Sequence, residues 1–220
     1  MPDINIVGKG FDRITHVYDT IAYIFSFNNI NKSQLAFLSK LSMQKSCLIL
    51  GGGTGYFLQK VLEQNDTIHI TYVDASVKMI EYAKERIQKK MPQAFHRITF
   101  ICKSVEDFDW KMYDVIICNY FLDLFDDAYV KILAARFKQQ LNQQGLLYVT
   151  DFHISETNVL LKWSTQAGLK ILYTAFCVVT KMRTEKLPAI QNNLQEQGFS
   201  VICSKHYLKG ILQCSIFKII

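Results

Sequence analysis

The segment LILGGGTGYF, residues 48–57, sets four glycines within five positions directly behind an apolar run, and it constrains the chain more than any other stretch. A buried strand ending in such a turn delivers backbone N–H groups to the start of a helix. A ligand can approach closely there because no Cβ stands in the way. A tight turn in a well-packed α/β domain gives the same pattern, so the glycines need support from elsewhere.

The rest of the chain supplies an alternation of strands and helices. Strand-like runs at Cys47–Leu50, Ile68–Val73, Ile98–Cys102, Tyr113–Cys118 and Leu146–Thr150 are separated by helically spaced segments. The clearest helices are Ser76–Lys90, with Ile80, Ala83 and Ile87 on one face, and Asp126–Leu141, with Val130, Leu133, Ala134, Phe137 and Leu141. Strands apolar on both faces predict a doubly wound α/β fold, a mostly parallel sheet between helix layers. Near the end, Ser200–His206 and Ile211–Ile219 flank a short turn at Lys209 and Gly210, so an antiparallel hairpin is expected. Upstream, Phe11, Ile14, Tyr18, Ile21, Ala22 and Phe25 recur at helical intervals, predicting an N-terminal helical segment within residues 1–45. A second short helix is expected over Ser33–Leu41.

At 220 residues with 3 Pro and 10 Gly and no low-complexity tract, the chain reads as one domain over 1–220. The N-terminus MPDINIVGKGFDR lacks an apolar signal core, and the longest apolar run, Ile171–Thr180, is far short of the roughly 20 residues a bilayer requires. The expected location is the cytoplasm. Six cysteines form no CxxC pair, which favours reduced core thiols over a metal cluster or disulfide frame. The net charge of +6 comes from Lys and Arg interleaved with Asp and Glu, so nucleic-acid binding is not favoured.

The glycines gain weight from TYVDAS, where a second strand ends at Asp74, nineteen positions after Gly55. A carboxylate at the tip of the neighbouring strand can accept from both hydroxyls of an adenosine ribose, although an Asp here also suits a helix cap. Taken in order, GGGTG, VDASVKMIEYAKER, FICKSVEDF, YDVIICNYFLDLF and LNQQGLLYVTDF resemble the successive motifs of class I S-adenosylmethionine-dependent methyltransferases. The resemblance covers Leu48 to Phe152 and implies a seven-stranded Rossmann-like sheet, S-adenosylmethionine as cofactor and a small-molecule methyl acceptor. FDRITHVYDTIA is further similar to the helix before the core in enzymes of quinone biosynthesis.

The resemblance also implies roles. Gly51, Gly52 and Gly53 match the loop under the methionine portion of the cofactor, Asp74 the ribose acid, and Ala75 with Met79 the apolar flank of the adenine. Ser104, with Val105 beside it, stands where relatives carry an Asp that accepts from the adenine amino group. Glu106 and Asp107 are the alternative acceptors. Tyr18 matches a Tyr facing the methionine end, against the plain reading of a half-buried helix aromatic. Asn119 and Tyr120 follow the fourth strand and would bound the methyl-transfer pocket. Ile49 departs from the family, occupying the place of an acidic residue two positions before the first glycine. That Ile before GGG is reminiscent of aminopropyltransferases on the same fold, with Asp123 and Asp126 the residues that keep this alternative open. A non-catalytic cofactor-binding protein is another alternative, motivated by Ile49 and Ser104.

An already activated methyl group needs an aligned nucleophile and exclusion of water more than a dedicated catalyst. His153, after the fifth strand, and Tyr120 are the candidate catalytic residues, with a surface or helix-entry role the plainer reading of His153. Residues 156–186 are rich in apolar groups, including Trp163, Tyr173 and Phe176, and are expected to form a helical lid over an apolar or aromatic acceptor. A helical dimer surface or plain core burial is the other reading of that segment, which leaves a homodimer open.

Overall fold

The computed structural model describes residues 29–153 and 187–220. Tyr18, the N-terminal helix expected over residues 11–27 and the lid expected over 156–186 lie outside these residues. The described chain opens with α1 (Asn29–Gln34) and a 3-10 turn at Leu38–Leu41, followed by β1 (Ser46–Leu50), α2 (Tyr56–Gln64), β2 (His69–Asp74), α3 (Val77–Lys90) and β3 (Ile98–Cys102). Then come β4 (Tyr113–Asn119), α4 (Asp127–Gln140), β5 (Leu141–Phe152), α5 (Ile190–Glu196), β6 (Phe199–Tyr207) and β7 (Leu212–Ile219). The seven strands form one sheet in the order β3-β2-β1-β4-β5-β7-β6, parallel from β3 to β5, with β7 antiparallel to both its neighbours. This is the expected doubly wound architecture, hairpin included.

Each central strand is apolar on both faces because helices cover both. On one face Cys47, Ile49, Tyr72 and Ile117 pack against Phe57, Leu58 and Val61 of α2 and Ile80, Ala83 and Ile87 of α3. On the other, Leu48, Leu50, Ile116 and Val149 pack against Val130, Leu133 and Phe137 of α4. Caps fix two helix starts: Ser76 Oγ accepts the Met79 N–H (3.2 Å) and Asp126 Oδ1 the Tyr129 N–H (2.8 Å). The strand order reverses between β1 and β4, so a crevice opens beyond their carboxyl ends.

Two expectations shift. The helix expected at Ser33–Leu41 is split into α1 and the later 3-10 turn. The buried Tyr148 hydroxyl donates to Gln34 O (2.5 Å) and accepts from Phe37 N–H (3.2 Å), taking backbone groups that a continuous helix would pair internally. Strand β5 starts at Leu141 rather than Leu146, because Leu141 pairs with Tyr113 and the polar Asn142 is used by Asp114 (2.6 Å). The five cysteines among the described residues are free thiols; Cys47, Cys118 and Cys214 lie in the core as expected, whereas Cys203 is half-buried and Cys102 exposed. No described helix is long and apolar enough to cross a membrane.

Candidate functional site

The crevice lies where β1 delivers its glycine loop. Gly51 and Gly53 adopt φ of +60° and +64°, a left-handed conformation that L side chains rarely take. What surrounds the glycines separates their roles. A Cβ at Gly51 would stand 2.5 Å from the Phe121 ring, one at Gly52 2.2 Å from Tyr72, and one at Gly55 2.9 Å from Ala83. Among the described residues, the Cβ direction of Gly53 alone in this loop is open, with nothing within 4 Å. Three glycines of GGGTG are therefore demanded by the protein's own packing, and Gly53 alone faces free space. That distinction is invisible in the sequence.

The loop is held by β2. Asp74 accepts the Gly53 N–H at Oδ2 (2.9 Å) and the Ser76 N–H at Oδ1 (2.9 Å), while Tyr72 donates its hydroxyl to Gly53 O (2.7 Å). Both Asp74 oxygens are thus oriented by backbone donors. The helix cap itself is Ser76.

Across the crevice stand Ile30, Asn31 and Gln34 of α1, with Tyr56 and Phe57 of α2 and Asn119 at the end of β4; together with residues 49–54 they line an open cleft. None of the described side chains lining this cleft is charged. Ile49, at the departure from the family pattern, is 2% exposed within the core. As with Trp110 Nε1 elsewhere in the core, the buried Oδ1 and Nδ2 of Asn119 have no hydrogen-bond partner among the described residues, and Asn119 lines this cleft. Native proteins leave few buried polar groups unpaired, so an amide with no partner among the described residues is a candidate for a ligand contact.

The structure thus gathers Gly51, Gly52, Gly53 and Asn119 on one cleft, with Asp74 bonded to its loop. Ser104 sits beyond β3, nearly buried, and its hydroxyl donates to Asp107 Oδ2 (2.6 Å), which leaves the Ser104 oxygen as an acceptor. Val105 packs into the core with Phe108 and Phe121. Ala75 is half-buried at the tip of β2 and Met79 is buried on α3. His153 stands elsewhere, its ring 5.2 Å from that of His206 and its N–H donating to Ile211 O (2.8 Å) at the hairpin end.

Tyr120 has φ +52°, a strained conformation for a non-glycine residue, and its N–H donates to Thr150 O (2.7 Å). Its hydroxyl lies 2.7 Å from Ser33 Oγ. Ser33 already gives its one proton to Ile30 O (2.8 Å), so Tyr120 is the donor. The phenol therefore clamps α1 over the cleft. Sequence reasoning missed the α1 wall, whose only signal was a polar NINKSQ helix just before the core.

Behind the cleft, on the α4 face of the sheet, Asp151 and Asp123 are 4% and 5% exposed. Asp151 accepts from the N–H groups of Asp123 (3.2 Å) and Phe152 (2.9 Å). Burial first, and the neighbouring Asp123 carboxyl second, push the Asp151 carboxyl well above its ordinary range. Burial and then Asp151 do the same to the Cys118 thiol.

Comparison with known proteins agrees with this geometry. Residues 48–147 match the methyltransferase domain family. The chain is 28% identical over 155 residues to a malonyl-[acyl-carrier protein] O-methyltransferase of Anoxybacillus flavithermus, covering 69% of this chain and 54% of that protein. It is 30% identical over 137 residues to polyamine aminopropyltransferase 2 of Bacillus anthracis, covering 58% of this chain and 38% of that one. The chain spans about half the length of the curated O-methyltransferases it matches. An O-methyltransferase family protein from Burkholderia thailandensis shares the fold, with a TM-score of 0.71 at 16% identity over 94% of this chain and 60% of that one.

Proposed function

We propose that this chain, which belongs to the class I S-adenosylmethionine-dependent methyltransferases, is an enzyme that transfers a methyl group to an oxygen of a small acceptor with an apolar or aromatic body. The observation that carries the reading is the cleft itself: an open approach at Gly53, a carboxylate at Asp74 with both oxygens already oriented, and a neutral wall ending in the unpaired Asn119 amide. Those features suit an adenosine ribose near Asp74 and a zwitterionic amino acid near Asn119. Bound there, S-adenosylmethionine supplies a methyl group on a sulfonium, ready for transfer to a nucleophile.

The chain's own residues bind, orient and exclude water. Asp74, at the tip of β2 beside the glycine loop, is the acceptor for the ribose hydroxyls, and Ser104, its proton committed to Asp107, offers an acceptor further along. The α1 wall, clamped by Tyr120 and Tyr148, shields the far side of the cleft. A phenol or carboxylate acceptor needs little proton transfer. For a less acidic hydroxyl, His153 would be too far along the hairpin end to serve as the base, since it packs on His206 and Ile211 rather than on the cleft. The O-methyltransferase names of the relatives support an oxygen acceptor, and the apolar residues of 156–186 support an apolar one.

The 30% identity to an aminopropyltransferase gives the second reading, transfer from decarboxylated cofactor to a diamine. The uncharged cleft speaks against it, since a cationic amine prefers carboxylate partners. Titration with S-adenosylhomocysteine followed by a turnover assay decides among the readings. Micromolar binding and label transfer from S-adenosylmethionine to a phenol or carboxylate are expected. Polyamine product from decarboxylated cofactor and putrescine would favour the second reading. Binding without turnover on a broad panel would favour a non-catalytic cofactor-binding protein.

A further inference from the structure

The Asn119 amide is both buried and unpaired among the described residues, at the one point where a neutral cleft meets the end of β4. Resting on the cofactor reading above, we propose that Asn119 is the residue that selects the carboxylate-bearing form of the cofactor, reading its α-carboxylate with Nδ2 and its α-ammonium with Oδ1.

The argument is electrostatic. A carboxamide carries a donor and an acceptor side by side, which matches the anion and cation of a zwitterionic amino acid and matches neither charge alone. Ile49 fills the place from which the family's acid would act and is 2% exposed, so it offers the ammonium no partner. The neighbouring amides of Asn31 and Gln34 are also neutral. A zwitterion brings its own counter-charge into such a cleft. A decarboxylated cofactor would bury an ammonium facing, among the described residues, only neutral groups, which is costly. Selectivity between the two forms thus depends on one neutral side chain where a carboxylate would favour the cation.

The test is a binding measurement with two ligands, S-adenosylhomocysteine and its decarboxylated analogue, on wild type, Asn119→Asp and Asn119→Ala. Wild type is expected to prefer S-adenosylhomocysteine by at least about tenfold. Asn119→Asp, nearly isosteric, should weaken S-adenosylhomocysteine about tenfold or more and strengthen the decarboxylated analogue, inverting the preference. Asn119→Ala should bring the ratio towards one, and serves if the acid prevents folding. A preference that neither variant changes would overturn the assignment to Asn119 while leaving the cofactor reading intact. Failure of folded wild type to bind either ligand would overturn the cofactor reading itself, and this inference with it.

Discussion

The two ends of the same central strands treat their polar groups in opposite ways. At the amino end, Asp114 of β4 accepts from the N–H groups of Lys45 and Ser46 (both 2.9 Å) and from Asn142 Nδ2 (2.6 Å), while its own N–H reaches Ser46 Oγ (3.0 Å). At the carboxyl end, the Asn119 amide is unpaired, Tyr120 is strained and two carboxyls lie buried together. Burial alone would raise the Asp114 carboxyl, but the bonds from Asn142, Ser46 and Lys45 outweigh it and hold that group below its ordinary value. At Asp151 burial and a like neighbour prevail, and the shift is upward. One end of the sheet spends its polar groups on stability. The other leaves the Asn119 amide unpaired among the described residues and two carboxyls buried together, at a cost in stability that the proposed cofactor would offset at Asn119 alone.

The largest effect that would sharpen this contrast lies in the glycine loop. Gly52→Ala should destabilise by about 3 kcal/mol in urea unfolding, because its Cβ meets a fully buried Tyr72 ring that is tied to Gly53 O. Gly53→Ala meets no atom and should cost only about 1 kcal/mol of backbone strain while abolishing much of the cofactor affinity. Equal losses of stability in the two variants would erase the division between packing glycines and an approach glycine.

Next in size is Asp114→Ala, expected to cost about 2 kcal/mol by removing the acceptor for several donors at a partly exposed site. S-adenosylhomocysteine affinity should not change. A variant that lost ligand affinity in proportion to stability would break the separation of the two ends.

A smaller effect has the opposite sign. With its folded-state affinity for protons raised, Asp151 holds a proton that the unfolded chain releases, so its contribution is lost progressively as pH rises above the unfolded value of about 4. Asp114, shifted down, contributes above that unfolded value and loses its contribution as pH falls through its folded value. Asp151→Asn should therefore raise stability at pH 7 by about 1 kcal/mol and flatten the decline as pH rises above about 4. An unchanged slope in urea titrations across that range would show that Asp151 is not the group responsible.

Smallest is Tyr120→Phe, which removes the hydroxyl that donates to Ser33. A loss of roughly 0.5 to 1 kcal/mol is expected, together with weaker cofactor binding as the α1 wall loosens. Full retention of both would reduce the clamp to a surface contact.

Local patterns in the sequence determined the elements: β-type apolar runs, helical spacing in Val77–Lys90 and Asp127–Gln140, and a glycine turn at the end of β1 each depend on neighbours within a few positions. The hairpin of β6 and β7 was legible for the same reason, since its strands are joined by a short turn. The position of Asp74 at the tip of β2 was legible too, because the strand-like run ends there. Tertiary structure alone decided which polar groups find partners. Tyr120 meets Ser33 across 87 positions, Tyr148 meets Gln34 across 114, and Asp123 meets Asp151 across 28. No periodicity records such pairs. The same holds for Gly52 and Gly53, adjacent and alike in sequence, one facing a buried ring and the other open space. What a glycine or an amide is for depends on the atoms that chain folding brings within about 4 Å of it, and those come from strands and helices far away along the chain.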